Sequence, residues 1–191
     1  MDKPYHHGDL KRALIEAGLE LIRESGTDKL SLRKTAERCG VSSAAPYAHF
    51  AGKDDLINAI QSYVTELFVE ELRKGMVDCP PERVLTKLGA AYVRFFHRNP
   101  LYFDLLFSRR SIRIRTALSD NGGCDPAFEL FKNAAAPVLG SAGVPEETAQ
   151  NKLMAMWGMV HGLAAISTTA GLDIDIDWEN RTEDILGSVS L

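Results

Sequence analysis

The sequence predicts an all-α protein in two parts. Residues 1–52 form an N-terminal three-helix domain with a helix-turn-helix, and residues 53–191 form a C-terminal helical bundle. Two observations carry this reading. Apolar residues recur at spacings of three and four along nearly the whole chain, the periodicity of a helix with one buried face. Gly and Pro sit at the edges of these periodic stretches, where helices stop and start. Strand patterning is confined to residues 172–178, where Ile174 and Ile176 alternate with Asp173, Asp175 and Asp177. A lone strand would lack a pairing partner, so this segment reads as an acidic loop.

The first helix carries Leu10, Leu14, Ala17 and Leu21 as its stripe, with Ile15, Gly18 and Ile22 alongside. Asp9 is placed to cap its start and Gly26 to end it. Ser31 can cap a second, short helix running to about Cys39, with Leu32, Ala36 and Cys39 inward and Arg33, Lys34, Glu37 and Arg38 outward. Gly40 follows where a left-handed backbone is often required. A third short helix is expected over 43–49. Ser43 is preferred to Ser42 as its cap, because Pro46 then falls in the first turn, where a missing N–H costs little.

Gly52 breaks the pattern before a long helix over 53–74, with Leu56, Ile60, Val64, Leu67 and Leu72 on its buried side. Pro80-Pro81 opens the next helix, which carries Val84, Leu88, Tyr92, Phe95 and Phe96 and is interrupted at Asn99-Pro100. Short helices are expected over 101–107 and 112–118, then a loop at Asn121-Gly122-Gly123. A helix over 126–139 follows, kinked or ended by Pro137. Residues 141–144 form a turn, Pro145 opens the longest apolar helix, to about Ala170, and Gly171 ends it. A last helix starts near Asn180 and reaches the C-terminus.

Composition bounds the function. The apolar fraction is 45%, ordinary for a globular protein. The formal net charge is −4, so a nucleic-acid partner must be argued from where the bases sit. Through Leu56, nine Lys or Arg meet nine Asp or Glu, and the remainder holds 13 against 17. Lys29, Arg33, Lys34 and Arg38 cluster in the neutral first part. Cys39, Cys79 and Cys124 are widely spaced, which fits neither a zinc site nor a disulfide framework and suits a reducing cytosol. No N-terminal apolar run resembles a signal peptide. The apolar window 153–166 is shorter than the roughly 18 residues a span needs and reads as a buried helix. A cytoplasmic protein without a membrane partner is expected.

Three short helices with the turn Cys39-Gly40-Val41-Ser42 outline a helix-turn-helix. Small Ala36 and Ala45 allow a close crossing, and Val41 plugs the turn. Helix starts present unpaired N–H groups to phosphate oxygens, and Ser31, Ser42 or Ser43, and Lys53 sit at three such starts. Tyr47 and His49 offer further phosphate contacts. The first residues of the third helix, Ser42, Ser43, Ala44 and Ala45, are placed to meet base edges, and Ala44 or Ala45 can touch a thymine methyl. Arg33 either reaches DNA or is a solvated charge. Lys3, His6 and His7 lie in an arm that is either a DNA contact or disordered.

The run from Leu30 to Leu56 resembles the DNA-binding signature of the TetR family. Gly40-Val41-Ser42, Tyr47, His49-Phe50, Lys53 and Leu56 carry the match. The resemblance implies a homodimeric, all-helical, TetR-like regulator responsive to a small-molecule effector, usually a repressor acting on double-stranded operator DNA. It implies that Tyr47, His49 and Lys53 contact phosphates and that Ser42 to Ala45 face the bases. The chain departs from the pattern at Ala44-Ala45-Pro46, where many members carry a hydroxyl, and this puts one phosphate contact in doubt. A second segment, from Met156 to Ala164, resembles the Trp-His-Gly signature of one TetR subgroup, as do Tyr92-Val93-Arg94-Phe95 and Asn99 to Phe103. It implies a ligand-binding and dimerisation domain without naming the ligand.

Gly158, Gly162 and Ala165 share one helical face. That face is either a dimer seam, which operator symmetry favours, or a tight crossing inside the monomer. Met154, Trp157 and His161 lie nearer the other face, and with Phe68, Tyr92, Phe96, Tyr102, Phe103 and Phe107 they either line a ligand pocket or form a core. His161 either meets a ligand or satisfies a buried partner. Asp173, Asp175, Asp177 and Glu179 lack the Gly and closing Glu of a calcium loop. No catalytic motif, cofactor motif or metal set is evident, so an enzyme is not expected. The competing reading is a helical scaffold that binds only protein.

Overall fold

The computed structural model describes residues 10–108, 112–118, 123–141 and 144–189. Among these it holds eight α-helices and three short 3-10 turns, with no strand. The chain is all-α, as the periodicity requires. Its contacts divide into one unit that reaches Val64 and another that begins at Thr65. The division falls inside a helix, beyond the 52/53 boundary drawn from the Gly52 break. The reason is that Leu56, Ile60 and Val64 at the start of that helix are fully buried in the N-terminal unit.

In the N-terminal unit, α1 (Leu10–Ser25) buries Leu14, Ala17, Gly18, Leu19 and Ile22. Gly26 ends it at φ 80°. The expected Asp9 cap and the Lys3, His6 and His7 arm lie outside the described residues. Ser31 does cap α2 (Leu32–Arg38), its hydroxyl accepting from Lys34 N at 3.3 Å. Thr35, buried, returns its hydroxyl to the Ser31 carbonyl at 2.8 Å. Gly40 takes φ 68°, a conformation that favours glycine. α3 (Lys53–Gly75) then crosses α1 closely. A Cβ on Gly18 would lie 2.8 Å from Ile60 Cδ1, so a larger residue there would have to displace that methyl.

The third helix differs from expectation. It is a single 3-10 turn, Ala45–Ala48, preceded by Ala44 with no side-chain cap, so Ser43 is not its N-cap. Pro46 has no N–H to bond back to Ser42, and the chain winds tighter instead. Ala45 N donates to Ser42 O at 3.0 Å, Tyr47 N to Ala44 O at 3.2 Å, and His49 N to Pro46 O at 2.9 Å.

In the C-terminal unit, α4 (Val84–Arg98) is the central post, packed against α7 (Glu146–Thr168) and α8 (Trp178–Gly187), with α5 (Pro100–Phe107) and α6 (Pro126–Ser141) beside it. A Cβ on Gly89 would meet Leu186 Cδ1 at 2.8 Å and Val160 Cγ2 at 3.0 Å, so this glycine sets the approach of α7 and α8 to the post. α6 continues through Pro137 rather than ending there. α8 begins at Trp178, two residues ahead of the expected start, because Asp177 caps it by accepting from Asn180 N at 3.1 Å.

Residues 112–118 are not a helix. Ile112, Arg113, Ile114 and Arg115 alternate with a period of two, and the segment is held by neighbours in sequence. Asp125 N donates to Arg113 O at 2.9 Å, and Arg115 N to Cys124 Sγ at 2.9 Å. Most of the Asn121-Gly122-Gly123 loop, the middle of the 141–144 turn and the last two residues lie outside the described set.

Candidate functional site

Pro46 and Phe50, four residues apart, are both buried and pin the segment after the turn to the N-terminal unit. The residues around them are turned out. Ser42, Ser43, Ala44, Tyr47, Ala48 and His49 are exposed, and Ala45 is half-buried. Tyr47 is 64% exposed, a large aromatic left in water with its hydroxyl free to meet a polar partner.

Lys53 is half-buried at the start of α3. Its Nζ donates to the Asp28 carbonyl at 3.0 Å. An ammonium has three donors, so two remain. Ser31 is half-buried, and its hydroxyl already serves the α2 cap. Arg33 is exposed. Arg38, on the same helix, is held by Glu20 at 3.3 Å and Glu24 at 2.7 Å. Glu24 accordingly sits below the usual carboxylate range, chiefly through the Arg38 hydrogen bond. Of the basic cluster, then, Arg33 and Lys34 present open charge and Arg38 is neutralised. Sequence reasoning could place Arg38 outward but not its partners, which come from a helix 14 and 18 residues away.

In the C-terminal unit the aromatic residues form one continuous network. Phe68 lies 4.9 Å from Tyr92 and 4.7 Å from Phe96, ring to ring. Tyr92 meets Trp157 edge-on at 5.2 Å, and Phe96 meets Phe103 at 5.3 Å. His161 closes the network, 4.9 Å from Phe103 and 4.6 Å from Phe107. Tyr102 joins through Phe95 at 5.8 Å. Met154 stands apart from the network, exposed at the surface of α7. Phe68, Tyr92, Phe96, Tyr102 and Trp157 are buried, whereas Phe103, Phe107 and His161 keep partial access to solvent.

Tyr92 Oη lies 2.9 Å from His161 Nδ1. Burial lowers the His161 pKa from its ordinary 6.5 and raises that of the Tyr92 phenol well above its own. The imidazole is thus kept neutral and shares one hydrogen with the phenol at Nδ1, in the direction its tautomer sets. Beside the network, a cleft of about 190 Å³ opens among α4, α6, α7 and α8, lined by Leu85, Phe131, Met156, Met159 and Val160 with Lys152. Sequence reasoning missed this cleft, because its walls come from four separate helices.

The face of α7 that bears Gly158 and Gly162 is open. A Cβ at either glycine would meet nothing within 4 Å, so none of the described helices crosses there. Asp177 caps α8, and Glu179 pairs with Arg98 at 2.5 Å. Two of the four acidic residues of that stretch thus have structural partners. Among the described residues, no group of three or more His, Cys, Asp or Glu could hold a metal, and no helix is long and apolar enough to cross a membrane.

Two family models match. Residues 14–60 match the bacterial regulatory proteins of the tetR family, and residues 85–188, more than half of the chain, match the tetracyclin repressor-like C-terminal domain. The chain belongs to the TetR family. Members of this family are DNA-binding, ligand-responsive transcription regulators that act as dimers. The TetR-like N-terminal part is 48% identical over 50 residues to the class G tetracycline repressor of Vibrio anguillarum, covering 26% of this chain and 24% of that protein. The HTH-type transcriptional regulator YobS of Bacillus subtilis is 25% identical over 190 residues, 96% of this chain and 88% of that one. Among solved structures, a protein from Rhodococcus sp. RHA1 aligns with a TM-score of 0.71 at 21% identity, covering 98% of this chain and 96% of that one. The fatty acid degradation regulator FadR of Bacillus halodurans aligns at 0.67 and 17% identity, covering 92% and 95%. A TetR variant from Acinetobacter baumannii in complex with minocycline aligns at 0.60 and 22%, covering 92% and 90%. These structures share the TetR fold.

Proposed function

We propose that this protein is a cytoplasmic, homodimeric repressor that grips operator DNA with residues 31–53 and releases it when a small molecule binds the C-terminal unit. The observation that carries the proposal is the outward display of Ser42 to His49 around buried Pro46 and Phe50. Tyr47, His49, Lys53 and Ser31 are assigned to phosphates, and Arg33, exposed and without an acidic partner among the described residues, is assigned to DNA as well. Ser42, Ser43, Ala44 and Ala45 are assigned to the bases. None of these four has a forked donor such as Arg, Asn or Gln, so base reading here rests on hydroxyls and methyl groups. Replacing operator thymines with uracil, which deletes only the methyl, is expected to weaken binding at the position facing Ala44.

The open face at Gly158, Gly162 and Ala165 supports the dimer seam over a crossing within one chain. A dimer places two reading heads on half-sites about 34–36 Å apart. The effector is assigned to the partly accessible side of the aromatic network, where His161 Nε2, Phe103 and Phe107 meet solvent, with Phe68, Tyr92, Phe96, Tyr102 and Trp157 behind them. Met154 is retained only as a rim residue. We place the chain in the subgroup with the Trp-His-Gly signature, on Trp157, His161 and Gly162. Because α3 belongs to both units, a ligand that favours one of its positions changes DNA affinity through it.

A gel shift of the full chain with the DNA upstream of its own gene tests this reading. Retarded DNA that is lost as salt rises is the expected result. Absence of any complex at low salt would favour a scaffold that binds only protein.

A further inference from the structure

A second face of α4 carries Arg83, just before the helix, with Lys87, Arg94 and Arg98, and Ala91 in the same row. With the end of α3, residues 77–80 and Glu183 of α8, these line an open hollow of about 590 Å³. Five cations line it, of which Lys74 is paired with Glu70 and Arg98 with Glu179 and Glu71, leaving Arg83, Lys87 and Arg94 beside Glu183. The imbalance concentrates at Glu183, which is only 15% exposed. Its single carboxylate faces three cations: Arg83 and Lys87 at 3.0 Å and Arg94 at 3.1 Å. Burial pushes the Glu183 carboxyl up, but hydrogen bonds from Lys87 and Arg94 outweigh it and hold the group below the usual range.

Arg94 is the less satisfied partner. One Nη serves Glu183, while its Nε is buried with no acceptor. A guanidinium recognises carboxylate or phosphate through a fork of two parallel N–H groups.

We propose that this hollow binds a compact dianion, a phosphate group or a small dicarboxylate, held by Arg94 and Lys87 beside Glu183 with Arg83 at the rim. The ligand supplies the negative charge that one carboxylate cannot provide for three cations. The site is separate from the aromatic network and does not depend on the DNA-binding reading.

Calorimetric titration of the full chain tests the proposal, with inorganic phosphate and succinate as probes and chloride holding ionic strength constant. Saturable binding of either probe, with a Kd below roughly 1 mM, is expected, and the probe that binds names the anion type. Arg94→Gln is expected to weaken binding about tenfold, by losing both charge and fork. Asp78→Asn removes an exposed competing charge where Asn tolerates the backbone φ of 53°, and is expected to tighten binding. A purely structural ion cluster would show neither change. No saturable binding by either anion, or full binding by folded Arg94→Gln, overturns the proposal.

Discussion

Lys53 and Arg38 carry the same charge in the same small unit, and their surroundings give them different tasks. Arg38 is spent on Glu20 and Glu24, whereas Lys53 makes one bond to a carbonyl and keeps two donors. Lys53→Ala is therefore expected to weaken DNA binding about equally for all sequences and to lower the salt dependence by about one ion, measured by anisotropy titrations over a salt series. Arg38→Ala is expected to leave that dependence unchanged. His161 makes a different prediction at this scale. Its folded pKa lies below the ordinary 6.5 because burial disfavours the cation. The unfolded chain thus binds the proton more readily, and stability is lost as pH falls from about 6.5 through the depressed value. Melting curves of the wild type should drop more steeply over that window than those of His161→Gln. Equal pH profiles would remove His161 from the buried pair with Tyr92. The sequence could name His161 and Tyr92 as neighbours of a core or pocket, but not their hydrogen bond, which joins residues 69 apart.

Among the elements, the most legible were those whose signals are local. The Ser31 cap, the left-handed Gly40 and the start of α3 at Lys53 follow from the residue and its nearest neighbours. Ser31→Ala is expected to cost about 1 kcal/mol, read from denaturant midpoints. Two elements were misread for physical reasons. Pro46 in a first turn reads as harmless, but its missing N–H goes with 3-10 winding over Ala45–Ala48. Residues 112–118 are expected as a short helix but are not one, and Ile112 and Ile114 alternate with Arg113 and Arg115 there. Tight crossings were the least legible, since a glycine reveals its neighbour only in the fold. Gly18 and Gly89 each sit where an added Cβ would meet a side chain at 2.8 Å. Gly89→Leu is expected to destabilise the C-terminal unit by about 1–3 kcal/mol, the usual cost of overpacking. A denaturation midpoint equal to wild type would show that Leu186 and Val160 simply move aside.

For the whole molecule, the sequence could state that an open small-residue face on α7 pairs either two chains or two helices of one chain. The empty space beside Gly158 and Gly162 favours two chains. Gly158→Arg should leave the monomer folded, since none of the described residues occupies that space, and should block the seam. Light scattering is expected to show a monomer with the wild-type circular dichroism spectrum. A dimer that persists would move the seam elsewhere. The central claim is that the exposed segment from Ser42 to His49 reads and grips DNA. The most direct measurement is the affinity of a Tyr47→Ala/His49→Ala double variant for the fragment upstream of its own gene, by fluorescence anisotropy, with the fold checked by circular dichroism. A folded variant bound at least about tenfold more weakly than the wild type is the predicted result, and a folded variant bound equally well contradicts it.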